Sequence, residues 1–233
     1  MNAIITGASK GLGRAIAEKF AGNGYHLYLC SRNETALSGT AGELRSKYPA
    51  VTVKVKAVDL GEKEQAMQFG QWILDQGISV DILVNNAGQF IPGSIHTEAD
   101  NVLEKMIGVN LYSAYHLTRM LLPKMMKERN GHIFNICSIA SLQAYPNGGS
   151  YSISKFALAG FSKNLREEMK AYGVKVTALY PGAAYTDSWA GSGIDPKRIM
   201  EAGDIADMVY TASRLSPQAT VEDIVLRPQL GDL

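Results

Sequence analysis

Short, near-continuously apolar runs alternate with stretches of helical spacing along this whole chain. The runs are Asn2–Thr6, His26–Cys30, Val51–Val58, Asp81–Asn85, Gly131–Cys137, Lys175–Tyr180 and Val221–Arg227. Runs this short and this continuously apolar predict strands buried on both faces. Between them, helices are predicted over Arg14–Asn23, Glu34–Lys47, Glu62–Gln76, Glu98–Arg129, Ser150–Tyr172 and Asp204–Arg214. Pro123 lies inside the longest of these, where a missing N–H and a ring clash predict a kink or a split. Strict strand–helix alternation predicts an α/β fold: one doubly wound parallel sheet of about seven strands with helices on both faces. No repeat, low-complexity tract or Pro/Ser-rich linker interrupts it, so a single domain over 1–233 is expected.

Composition narrows the picture. At 233 residues and 46% apolar the chain can bury a large core, and a net charge of +1 without a basic run argues against a nucleic-acid surface. Cys30 and Cys137 sit inside apolar strands, which predicts buried reduced thiols rather than a disulfide framework. His26, His96, His116 and His132 have no ligand spacing, so no metal site is expected. No apolar run approaches the ~20 residues that span a bilayer. Met1 leads directly into a strand with no charged and apolar leader. The expectation is a cytoplasmic protein without membrane contact. The Asn33-Glu34-Thr35 sequon then reads as chance.

Two stretches carry chemistry. Gly7-Ala8-Ser9-Lys10-Gly11-Leu12-Gly13 links the first strand to the first helix. Glycines there let backbone approach a diphosphate at a helix N-terminus, where free N–H groups and the dipole favour an anion. The same loop also fits a tight turn with no ligand. It is neither G-x-G-x-x-G nor a P-loop. The second strand ends Ser31-Arg32-Asn33, where an NAD-type site carries an acidic residue for the ribose hydroxyl. Arg32 with Lys10 suits a 2′-phosphate instead, which predicts NADP(H) over NAD(H). Farther on, Tyr151 and Lys155 lie four apart, one turn apart on one helix face. A nearby ammonium favours phenolate and would lower the Tyr151 pKa from ~10, making an acid/base of it. Alone, such a pair more often marks a solvated helix face.

These residues together resemble the short-chain dehydrogenase/reductase family, whose motifs recur in order from Thr6 to Thr186. Thr6-Gly7-x-x-x-Gly11-Leu12-Gly13 matches its glycine loop. Asp59 in Val58-Asp59-Leu60 matches its adenine-side Asp, and Asn85-Asn86-Ala87-Gly88 its turn after the fourth strand. Asn110 matches the helix Asn, and Ser138 the catalytic Ser thirteen residues before Tyr151. Pro181-Gly182 and Thr186 match the segment after the sixth strand. The resemblance implies a Rossmann-like fold and catalytic roles for Asn110, Ser138, Tyr151 and Lys155. It implies a cofactor site from Gly7, Ser9, Lys10, Gly11, Leu12, Gly13, Ser31, Arg32, Asp59, Leu60, Asn86, Ala87, Gly88, Tyr151, Lys155, Pro181, Gly182, Ala184 and Thr186. Tyr151 would then exchange a proton with a carbonyl or secondary-alcohol substrate as hydride passes to or from the nicotinamide. Ser138 would hold the substrate oxygen, and Lys155 the nicotinamide ribose. Asn110 would hold a water leading to Lys155, and Thr186 with the backbone near Ala184 would orient the carboxamide.

The ending Val221–Leu230 departs from the glycine-rich close of the common 3-oxoacyl reductases and resembles the sepiapterin-reductase-like and 3-hydroxyacid-dehydrogenase-like branches. A substrate loop is expected at about 187–203, Gly-rich at Ala190–Gly193 and closing over substrate. Phe90, Leu142, Tyr145, Tyr185 and Trp189 would give a partly aromatic pocket, with Lys197 and Arg198 available to a carboxylate. Leu158, Phe161, Leu165 and Met169 form an apolar stripe, mostly for packing on the sheet. The resemblance adds pairing of this helix and the one near Leu111–Leu122 across a two-fold axis, hence a homodimer or homotetramer. A non-catalytic NADP(H) sensor on the same fold is the alternative, disfavoured by an intact Tyr and Lys. A sugar-nucleotide epimerase would carry a different glycine loop.

Overall fold

The computed structural model describes residues 1–186 and 193–232. Its strands are β1 (Asn2–Thr6), β2 (His26–Ser31), β3 (Val53–Ala57), β4 (Ile82–Asn85), β5 (His132–Ile136), β6 (Lys175–Pro181), β7 (Ala184–Tyr185), β8 (Met200–Glu201) and β9 (Asp223–Leu226). Its α-helices are α1 (Gly11–Gly22), α2 (Glu34–Lys47), α3 (Lys63–Leu74), α4 (Val102–Ile107), α5 (Ser113–Glu128), α6 (Gly149–Met169) and α7 (Ala202–Ser213). A seven-stranded sheet runs in the order β3-β2-β1-β4-β5-β6-β9, and every pairing in it is parallel. The order reverses between β1 and β4. This is the topological switch point, and the crevice outside the strand ends there is where open α/β sheets bind ligands.

Alternation along each strand divides the core between the two faces. Ala3 and Ile5 of β1 pack with Leu27, Leu29 and Val84 against Ile16 and Phe20 of α1, Leu37 of α2 and Val209 of α7. Ile4, between them, faces the other way, with Leu83, Ile133 and Val176, onto Phe69 of α3, Leu121 of α5 and Leu165 of α6. Wholly buried side chains such as Phe20 and Phe69 each stabilise by roughly 1.5–3 kcal/mol, so neither helical layer can peel away cheaply. Cys30 and Cys137 are free and buried, as expected. Leu158, Leu165 and Met169 are buried too, which makes the α6 stripe core packing.

The long helix expected over Glu98–Arg129 is interrupted, but not at Pro123. It begins only after Asn101, which is left-handed at φ 70, and it loosens into a π-turn over Gly108–Tyr112 before α5 continues to Glu128. Pro123 is tolerated inside α5 because it is solvent-exposed: the carbonyl one turn earlier, deprived of its N–H partner, can turn toward water. The first helix also starts earlier than expected, at Gly11, so the last two loop glycines form its first turn.

Buried His132 illustrates how strictly the interior selects. Its ring stacks on Phe134 at 3.9 Å and its Nε2 lies 2.7 Å from Thr177 Oγ1, with 4% of the residue exposed. Burial, with a smaller push from Lys175, drops its pKa to about 3. The folded state therefore holds a neutral ring while the unfolded chain takes up a proton below pH ~6.5. The stability from the neutral ring is fully present above that pH and declines as pH falls toward about 3. One proton corresponds to a slope of about 1.4 kcal/mol per pH unit. Urea unfolding of His132→Gln between pH 4 and 7 is expected to show that slope reduced by about one proton; an unchanged slope would mean the ring is already charged when folded.

Candidate active site

A cavity of ≈ 720 Å³ opens at the carboxyl ends of the strands. Gly7 after β1, Ser31 at the end of β2, Asp59 after β3, Asn86 after β4, Ser138 after β5 and Gly182 after β6 all line it.

At one end the glycine turn is locked to the start of the β4 loop. Thr6 Oγ1 accepts the N–H groups of Asn86 and Ala87, both at 2.9 Å. The Asn86 amide returns a bond to Thr6 O at 2.8 Å. Gly7 and Gly11 take φ values of 64° and 57°, which disfavour any side chain. A Cβ on Gly13 would stand 2.5 Å from Asn86 Nδ2 and 2.8 Å from the carbonyl carbon of Gly7. Gly13 is accordingly buried behind the turn rather than in the cavity wall. The first turn of α1 has no capping side chain and no acidic residue. Its N–H groups face a cavity wall built from Ser9, Lys10, Gly11 and Leu12, an arrangement that fits a diphosphate.

Beyond it lie Ser31, Arg32 and Asn33. Asn33 Oδ1 caps α2 by accepting the Ala36 N–H at 2.8 Å, and Ser31 Oγ donates to Asn33 O at 3.2 Å. These bonds fix the turn and leave Arg32 at an exposed position on the cavity rim. Asp59 accepts Gly61 N–H at 2.9 Å, with Val58 and Leu60 beside it.

At the other end, the 3₁₀ turn Ile139–Ser141 is capped by Ser138, whose Oγ accepts Ala140 N–H at 3.1 Å. That local bond uses a lone pair; the hydroxyl also stands near enough to the Tyr151 phenol to favour its ionised form. Lys155 is buried, its Nζ donates to Ile136 O at 2.8 Å, and it lies 5.9 Å from the Tyr151 ring centroid. The expected lowering of the phenol by Lys155 is not what this arrangement does. Burial raises the Tyr151 pKa, the nearby Ser138 hydroxyl offsets part of that, and burial draws Lys155 itself down to about 8. Burial makes each group favour its neutral form, and for Tyr151 desolvation outweighs a charge this far away.

Asn110 sits inside the π-turn and does not line the cavity. Its side chain closes a two-way bridge with Gln89 (Gln89 N to Oδ1 2.7 Å, Nδ2 to Gln89 O 3.0 Å) and donates to Ser154 Oγ at 2.8 Å. A Cβ on Gly88 would lie 3.2 Å from Asn110 Oδ1 and 3.6 Å from Lys155 Nζ, so a glycine keeps a narrow gap between them. Pro181, Gly182, Ala184 and Thr186 also line the cavity, with Thr186 packed on Gly11.

Of the expected pocket residues, Phe90 and Tyr145 line the cavity, and Phe90 meets Tyr151 edge-on at 4.8 Å. Leu142 and Tyr185 are exposed and do not line it, and Trp189 lies outside the described residues. The Ala190–Gly193 tract of the substrate loop is likewise outside them except for Gly193. Downstream, β8 pairs with β7 and returns the segment to the sheet ends. Arg198 does not await a carboxylate: its guanidinium donates to the carbonyls of Leu230, Gly231 and Asp232. Lining residues not anticipated from sequence are Val109, Gln89, Cys137, Gln143 and the Arg227–Asp232 ion pair. Position directly after Asn86-Ala87-Gly88 was the available signal for Gln89. No local pattern marks the others. Among the described residues no His/Cys/Asp/Glu group could hold a metal, and no helix is long and apolar enough to cross a membrane.

A switch-point crevice with a glycine turn at one end and a Ser–Tyr–Lys cluster at the other defines a dinucleotide-dependent oxidoreductase frame. The family model for short chain dehydrogenases matches residues 1–196, and the chain belongs to that family. It is 31% identical over 226 residues to an uncharacterised oxidoreductase of Staphylococcus epidermidis, covering 97% of this chain and 96% of that protein. It is 32% identical over 238 residues to a sepiapterin reductase of Chlorobaculum tepidum, covering 99% and 97%. Among solved structures, the alcohol dehydrogenase of the archaeon Thermococcus sibiricus, complexed with 5-hydroxy-NADP, superposes with a TM-score of 0.89 at 28% identity, covering 98% of this chain and 96% of that one.

Proposed function

We propose that this protein is an NADP(H)-dependent oxidoreductase acting on a small carbonyl compound or the corresponding secondary alcohol, with Tyr151 as general acid/base. The observation that carries this reading is that Ser138, Tyr151 and Lys155 line the same cavity as the glycine turn, Arg32, Pro181, Gly182 and Thr186. NADP-bound relatives of the same fold, such as the archaeal alcohol dehydrogenase, support the cofactor assignment.

When bound, the nicotinamide supplies or accepts hydride. The chain's residues do the rest. Gly7 to Leu12 and the first turn of α1 would hold the diphosphate, Asp59 and Leu60 the adenine, and Arg32 with Lys10 the 2′-phosphate. Asn86, Ala87, Gly88 and Gly182 would shape the path toward the nicotinamide end. Ser138 would hold the substrate oxygen by its hydroxyl. Tyr151, whose raised pKa keeps the phenol protonated at neutral pH, would donate its proton to that oxygen as it becomes an alkoxide. Lys155 at about 8 can hold or release a proton near neutrality, and it would restore the phenol. Asn110 would keep the π-turn open beside Lys155 so that a water can connect the lysine to solvent.

The chain is proposed to form a homodimer or homotetramer. Tyr112 in the π-turn, Tyr115 on α5, and Ile153 and Phe156 on α6 are all at least 36% exposed, apolar side chains of the kind that partner subunits cover. Small-molecule substrate apart, no nucleic-acid or membrane partner is proposed, and the compartment is proposed to be the cytoplasm.

Three measurements test these points. In NADPH oxidation assays against ketones, aldehydes, β-ketoesters, pterins and quinones, wild type is expected to turn over at least one class and Tyr151→Phe none, while both bind NADPH; turnover surviving in the variant would assign the acid elsewhere. Arg32→Asp should weaken NADPH by about ten- to a hundred-fold, roughly 1.5–3 kcal/mol for a lost charge-assisted contact. NADH affinity should hardly change, and equal losses in fluorescence titration would remove the 2′-phosphate role. Phe156→Glu should lower the mass seen by sedimentation, and a wild-type protein already monomeric would dismiss the assembly.

A further inference from the structure

We propose that Glu98 is a positioning residue for Tyr151, anchoring the first turn of α6 from a distant loop and tying that turn to the segment that carries Phe90. The inference rests on the reading of Tyr151 as the proton donor.

Helix α6 begins without a cap of its own. Gly148 stands at the N-cap and offers no side chain. A helix start leaves N–H groups unsatisfied, and a mobile first turn would move Tyr151, which lies within it. Glu98, fifty-two residues earlier in the chain, fills the vacancy. One carboxylate oxygen accepts Ser150 N–H at 2.8 Å and the other accepts the Ser150 hydroxyl. A negative charge at this end also complements the helix dipole.

The surroundings are shaped to admit the carboxylate. Gly149 takes φ +33, and a Cβ on it would overlap Glu98 Oε1 and lie 2.8 Å from Glu98 Cδ. A Cβ on Gly93 would stand 2.8 Å from Glu98 Cγ. Two glycines therefore flank one side chain. The two loops are pinned together as well: Gly93 N donates to Asn147 O at 3.0 Å and Ser94 Oγ to Asn147 Oδ1 at 2.7 Å. Glu98 itself is held by its own N–H to Ser94 O at 2.9 Å. Phe90, at the upstream end of the same segment, presses its ring edge-on to Tyr151. The segment from Phe90 to Glu98 thus grips the first turn of α6 at two points, one on the phenol ring and one on the backbone beside it.

Losing a helix cap costs roughly 0.5–2 kcal/mol, and about 1.4 kcal/mol of that felt in placing the phenol would be a ten-fold change in rate. Wild type, Glu98→Ala, Glu98→Gln and Tyr151→Phe would be compared on the panel carbonyl that wild type reduces fastest. Expected for Glu98→Ala is a kcat lower by about ten-fold, with the NADPH dissociation constant and the carbonyl KM within about two-fold of wild type. Glu98→Gln, which keeps an acceptor oxygen for Ser150 N–H, should recover most of the loss. Amide exchange of residues 149–155 should quicken in Glu98→Ala, a readout that needs no substrate. A kcat within about two-fold of wild type, cofactor affinity falling in step with kcat, or unchanged exchange would each overturn the proposal. Should Glu98→Ala fail to fold, Ser150→Ala removes only the hydroxyl contact, and a kcat lower by about two- to three-fold is expected; an unchanged kcat overturns it. Activity surviving in Tyr151→Phe would sink the proton-donor reading instead, whatever Glu98 does.

Discussion

The constraint on which the cavity depends is the approach of α1 to the turn that precedes it. No Cβ fits on Gly13 without entering the backbone of Gly7 and the amide of Asn86. Because it is glycine, the helix starts hard against the end of β1, and its uncapped N–H groups face the crevice between β1 and β4. The same contact fixes the β4 loop, since Asn86 bonds back to Thr6 while Thr6 Oγ1 takes the Asn86 and Ala87 N–H groups. One junction therefore sets the anion-holding end of the cavity and the direction in which the chain leaves toward Gly88, Gln89 and Phe90.

The far end obeys a different constraint, desolvation. Tyr151 and Lys155 are held where water does not reach freely, and both pKa values move toward the neutral form: the phenol up, the ammonium down to about 8. A buried ammonium needs an acceptor, and the Ile136 carbonyl at the end of β5 provides one. That bond joins α6 to the sheet at the point where Ser138 begins its turn. It brings the Ser138 hydroxyl and the phenol near one another without a carboxylate to hold them, which would suit the proposed receipt of an uncharged carbonyl oxygen whose charge is stabilised only as it develops.

Most of the frame was legible in the sequence because buried parallel strands must be apolar on both faces, and the seven runs of that kind became the seven strands of the sheet. The glycine turn was legible for a related reason, since positive φ and close approach leave few residue choices. What local pattern could not convey was tertiary burial. Pro123 is a strong local signal, yet it faces solvent and leaves α5 intact. The real interruption, at Gly108–Tyr112, carries no breaker pattern and is tied to a buried Asn110 whose partners lie 21 and 44 residues away. Arg198 misled in the same way, because its true partners are backbone carbonyls of the C-terminal turn, which no side-chain pattern announces. Charge alone does not say whether a cation meets a ligand or the chain itself.

The two ends of the cavity are thus built from different materials. The end formed by Gly7–Gly13 is largely backbone, where φ and contact distance decide, and substitution at the tight positions is strongly penalised. The end near Gln89, Phe90, Gln143 and Tyr145 is made of side chains on loops, which can be exchanged without disturbing the sheet. Ser138, Tyr151 and Lys155 share that end, but they are carried by the end of β5 and by α6. Such a division lets one frame keep the same proton-handling geometry while the surface that meets the substrate changes. It accounts for a sepiapterin reductase and an alcohol dehydrogenase both covering nearly the whole of this chain. On the proposed roles, the residues that would position the reacting oxygen belong to the frame, whereas those that would choose the molecule carrying it belong to the loops.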